Sequence, residues 1–90
     1  MKNEFQQLVT ELELYVPILT EYSKTHYSVK SAGQLFDFES FDNQIVVSVL
    51  GTAECCSNSF DSIIHFLATE YPNIPAFQKL YAAHHYTETV

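Results

Sequence analysis

Two runs of alternating apolar residues, joined by two turn-forming residues, constrain this chain more than any other feature. Residues 34–41 and 44–50 are rich in aromatic and β-branched side chains, and Asp42-Asn43 between them suits a tight hairpin. A two-residue loop at that point fixes the register. It sets Phe36 against Val49, Phe38 against Val47 and Ser40 against Ile45 on one face, and Leu35 against Leu50, Asp37 against Ser48, Glu39 against Val46 and Phe41 against Gln44 on the other. The first face reads as core. The second mixes apolar and acidic groups, which makes it the candidate contact surface.

Helical periodicity flanks the hairpin. Phe5, Leu8, Val9, Leu12, Tyr15 or Val16, Leu19 and Tyr22 recur in steps of three and four, predicting an amphipathic helix over about 3–23 that is kinked or broken at Pro17. Residues 25–30 alternate, with Tyr27 and Val29 on one side, and lead into the turn-like Ser31-Ala32-Gly33 as a short third strand. Ser57, Asn58 or Ser59 is expected to cap a helix whose stripe is Phe60, Ile63, Ile64, Leu67 and Tyr71 and which ends before Pro72. A last helix starts near Asn73 and Pro75 and runs to about Tyr86, with Phe77, Leu80, Tyr81 and His84 inward, while residues 87–90 are expected to fray. The expected class is α+β: an N-terminal kinked helix, a two- or three-stranded antiparallel sheet, then two C-terminal helices.

A chain of 90 residues that is 47% hydrophobic and 14% aromatic can bury one core, so residues 1–90 read as a single compact acidic domain. At this size modest stability or self-association is expected. No stretch approaches the roughly 20 apolar residues of a membrane span, and residues 1–4 lead into an amphipathic pattern rather than an export signal. The adjacent Cys55 and Cys56 cannot staple distant segments, so the reading is a reduced, cytoplasmic protein.

The formal charge is −7, and the imbalance comes from missing bases: the four cations are all lysine, and none falls between Lys30 and Lys79. Asp37, Glu39, Asp42, Glu54, Asp61 and Glu70 lie in that interval uncompensated. Phosphate affinity comes from Lys and Arg, so direct nucleic-acid binding is disfavoured and a basic protein partner is favoured.

Chemistry finds little foothold. Cys55, Cys56, His84 and His85 are zinc-ligand types, yet each pair is immediately adjacent and lacks the usual intervening residues, so no metal or other cofactor is expected. His65 has no glycine turn or nucleophile elbow near it to activate a cysteine, and its spacing from Asp61 suits a helical surface pair. Asp37 and Glu39 share a strand face but lack a cleft or a third carboxylate, and two glycines leave no phosphate cradle, so no catalytic residue is assigned.

The leading expectation is a small inhibitor that works by occupancy, docking Asp37, Glu39, Phe41, Asp42 and Glu54 on a basic nucleic-acid-binding surface of another protein. Tyr81, His85 and Tyr86 form a secondary contact patch. Phage-encoded anti-defence proteins, including anti-CRISPRs that imitate DNA, and toxin-immunity proteins are similar in smallness, acidity and want of an active site. That likeness is one of type and implies action in a host cytoplasm. The alternative is a homodimeric structural or adaptor module built through a strand edge or the C-terminal aromatic helix, and the third reading is a small enzyme or ligand carrier using the Cys and His groups.

Overall fold

Pro17 makes the first departure from the sequence reading. Helix α1 (Glu4–Tyr15) starts at Asn3, whose side chain accepts the Gln6 N–H at 3.1 Å, and stops where Val16, forced extended by the proline after it, adopts φ −99°, ψ 141°. The chain does not resume the helix beyond Pro17. Leu19 and Tyr22, which fit a helical spacing, instead belong to strand β1 (Leu19–Ser23). The computed structural model describes residues 3–85.

Four more strands follow: β2 (His26–Ser31), β3 (Gln34–Phe41), β4 (Gln44–Val49) and β5 (Thr52–Ser57). They pair in sequence order as a five-stranded antiparallel sheet, so the expectation of two or three strands is corrected upward while the α+β class stands. The β3–β4 register is the one the two-residue loop dictates, with Phe36 on Val49, Phe38 on Val47 and Glu39 on Val46. The residues between Gly51 and Asn58 form the edge strand β5 rather than a loop.

Three hairpins turn on two residues each, all with positive φ: Ala32-Gly33 (53° and 74°), Asp42-Asn43 (53° and 64°) and Leu50-Gly51 (51° and 86°). This mirror-image turn matches the right-handed strand twist, which is why it recurs.

Helix α2 (Phe60–Glu70) is capped by Ser59, whose Oγ accepts the Ser62 N–H at 3.3 Å, and α3 (Pro75–His85) begins with proline where no helical donor is needed. Their core residues and those of α1 meet one sheet face. Phe5, Leu8, Leu12, Ile63, Ile64, Leu67, Phe77 and Leu80 pack on Tyr27, Val29, Phe36, Phe38, Ile45, Val47 and Val49 in a single buried cluster. Tyr71 and Phe77 both meet the Phe36 ring edge-on, at 4.9 and 5.1 Å between centroids.

Long-range hydrogen bonds close the helical layer. Gln78 Nε2 donates to the Ala68 carbonyl at 2.8 Å near the end of α2, and the Phe60 N–H donates to Glu4 Oε1 at 2.7 Å. Glu4 therefore puts a carboxylate at the positive end of α2 from the first turn of α1. Glu4→Ala is expected to lower stability by about 1 kcal/mol, read as a lower urea midpoint at unchanged slope.

Candidate partner-binding face

Since the helices occupy one side of the sheet, the alternate residues of every strand face away from them. Along β3 these are Leu35, Asp37, Glu39 and Phe41; β2 adds His26, Ser28 and Lys30, β4 adds Gln44, Val46 and Ser48, and β5 adds Ala53 and Cys56. Among the described residues no helix lies on this face. Phe41 is 73% exposed at one end and Leu50 is 65% exposed at the other.

Asp37 and Glu39 are brought together as their alternation requires, but they differ in surroundings. His26 Nε2 lies 2.9 Å from Asp37 Oδ1, with both side chains partly buried, whereas Glu39 is exposed directly across the β2–β3 pair from His26. Tyr22 lies against the His26 ring at 4.7 Å, and the buried Ser28 hydroxyl donates to Tyr22 Oη at 3.4 Å. The arrangement fixes the Asp37 carboxylate in place while leaving the Glu39 carboxylate free to reach outward.

Sequence reasoning missed His26 and Tyr22. The signal for His26 lay in the register of two hairpins, which sets it beside β3 and diagonal to Asp37. Ser28, His26 and Asp37 do not form a nucleophile, base and orienting acid, because the serine hydroxyl is buried and engaged by tyrosine.

Asp42 sits at the β3–β4 turn beside Phe41 and extends the acidic end of the face. Glu54 does not join it. Val47 pairs with Cys55 and Ser48 with Ala53, which leaves Glu54 as the extra residue of a bulge. Its charge acts instead on Tyr71 in the helical layer, whose hydroxyl is pushed above its ordinary pKa by burial first and then by Glu54 and Glu70. The grouping of Glu54 with Asp37 and Glu39 is thus not what the fold brings together.

Tyr81 packs half-buried against the core with its ring 5.7 Å from His65. His84 sits on the Phe60 ring and reaches Glu11 Oε1 at 3.2 Å, joining the three helices. His85 is the last residue of α3, its side chain is not among those described, and Tyr86 lies outside the described residues.

Cys55 and Cys56 occupy opposite sides of β5, Cys55 half-buried toward the core and Cys56 exposed, where its thiol donates to Gln44 Oε1. Among the described residues no three His, Cys, Asp or Glu side chains come together as a metal site. Burial, and then the neighbouring Cys56, raise the Cys55 thiol pKa. Limited alkylation followed by peptide mass spectrometry is therefore expected to label Cys56 well ahead of Cys55.

A half-open cleft of about 570 Å³ lies between the start of α1 and the β3–β4 turn, lined by Asn3, Glu4, Asn43, Gln44 and Asn58 among others. It holds amides rather than a reactive pair. No helix among the described residues is long and apolar enough to cross a membrane. No protein-family model, curated protein or solved structure matches this chain.

Proposed function

We propose that this chain is a small binding protein that inhibits a partner by occupancy, laying the open face of its sheet on a basic, nucleic-acid-binding surface of that partner. One observation carries the reading. The sheet face away from the helices holds two adjacent carboxylates, Asp37 and Glu39, with exposed Phe41 beside them, in a chain with no lysine or arginine between Lys30 and Lys79. Uncompensated acids steer a cationic partner, and the flanking apolar area supplies the desolvated anchor. The setting that suits such a protein is a cytoplasm, as an anti-defence or immunity protein of the anti-CRISPR type.

The edges of the sheet favour the face over the homodimeric alternative. β1 carries an irregularity at Tyr22 and β5 one at Glu54, and α2 lies against β5. Bulges and short strands are the devices that blunt an edge against pairing with another chain.

The test captures partners from a bacterial lysate at low and moderate salt with wild type and with an Asp37→Lys/Glu39→Lys variant. A nucleic-acid-binding protein retained by wild type, lost with the variant and displaced by DNA or RNA is the expected result. Equal retention by the variant, checked for native circular dichroism, ends the acidic-face reading.

A further inference from the structure

Of the three hairpin turns, two place a tolerable residue at the first left-handed position: Asp42 is a preferred turn former and Ala32 is small. The third places Leu50 there, at φ 51°. A branched aliphatic side chain at this backbone geometry is strained, and asparagine or glycine would relieve it. Burial does not compensate, because Leu50 is 65% exposed. Backbone strain tolerated without a packing return is a mark of a side chain kept for contact with something else.

Its position says what that something is. The Leu50 N–H bonds the Leu35 carbonyl at 2.9 Å, which sets Leu50 at the end of the open face, beside half-buried Leu35 and at the opposite end from Phe41. Along β3 the face therefore runs apolar, acid, acid, apolar, from Leu35 through Asp37 and Glu39 to Phe41, over about 20 Å at the rise of a strand. Three helices cover the other face, and a basic amphipathic helix is the element that would complete this one. Its cations would meet Asp37 and Glu39, and its leucine-type side chains would meet the two apolar ends.

We infer that Leu50, with Leu35, is the apolar anchor for a cationic amphipathic helix of the partner, an inference that rests on the acidic-face reading above. The test uses two synthetic helical peptides of equal positive charge, one with arginine and leucine on a common face and one with serine in place of each leucine, titrated against the intact chain. Wild type is expected to bind the leucine peptide at least tenfold more tightly. Leu50→Asn is expected to erase that preference while raising the folding equilibrium constant about five- to thirtyfold, since strain is removed. Ala32→Asn relaxes the same turn position at a neighbouring hairpin, so it should stabilise the fold and keep the preference.

Equal binding of the two peptides by wild type overturns the inference, as does a preference that survives Leu50→Asn. A loss of stability in Leu50→Asn also overturns it, because Leu50 would then be a packing residue. The Asp37→Lys/Glu39→Lys variant separates the two readings: it should bind neither peptide, and a leucine preference persisting there would remove the acidic-face reading and spare the anchor.

Discussion

Phe36→Ala is expected to remove about 3–5 kcal/mol of folding free energy, the largest loss of any single truncation in this core. The residue is fully buried in the sheet and holds Tyr71 and Phe77 edge-on, so its ring is where β3, the end of α2 and α3 meet. Deleting it forfeits the transfer energy of the ring, two aromatic edge contacts and the packing of the cavity left behind, which three separate elements cannot all close. At about 0.05–0.15 kcal/mol per residue, 90 residues carry roughly 5–13 kcal/mol in total. The variant therefore sits near the folding threshold. With a urea slope of about 1 kcal/mol/M, its midpoint should fall by roughly 3 M or vanish. Phe41→Ala, at the exposed end of the same strand, should move the midpoint by no more than about 0.5 kcal/mol equivalent. A Phe36→Ala loss as small as that of Phe41→Ala would mean that the helices do not pack on β3 as described.

The centre of the sheet was legible because its strands carry the signal that burial imposes. In β3 and β4 every second residue is a large apolar group, and Asp42-Asn43 is a turn with a known mechanism, so register followed from counting. The edges carry no such signal. β5 has only Cys55 packed against the core, so its period of two is absent from the hydrophobic pattern, and Leu50 before it does not look like a turn residue. In β1 the bulge at Tyr22 breaks the alternation, leaving Leu19 and Tyr22 three apart, a spacing indistinguishable from a helical one. Pro17 was the better guide, since it bars the helix from continuing in a straight line and pushes Val16 to extended geometry.

Bulges also explain which parts of the candidate face could be read. Asp37, Glu39 and Phe41 lie on uninterrupted β3, where alternation alone sets their side. Glu54 lies where one extra residue breaks the pairing, and a one-residue shift moves a side chain to the other face. The His26–Asp37 contact spans 11 positions in sequence and two strands, so neither residue's neighbours announce it. Only a three-stranded register makes it visible, and the sequence left the strand containing His26 as its weakest.

These placements separate acids that sequence alone groups together, and binding should follow the separation. Reversing Asp37 and Glu39 to lysine changes the charge of the open face by four, and against a basic surface it turns attraction into like-charge juxtaposition. Affinity is expected to fall about a thousandfold, near 4 kcal/mol, with much of the loss in the association rate and in the salt dependence. The fold should barely notice, because the only ion pair lost is the partly exposed one to His26, worth at most about 1 kcal/mol. Glu54→Lys and Glu70→Lys make the comparison decisive. Both positions are exposed and both charges reach Tyr71 in the helical layer, so neither reversal should change affinity more than a few fold despite the same gain of two charges. Isothermal titration against the captured partner reads all three. Equal losses from all three reversals would mean that the partner responds to net charge alone, and the open face would lose its claim to be the docking surface.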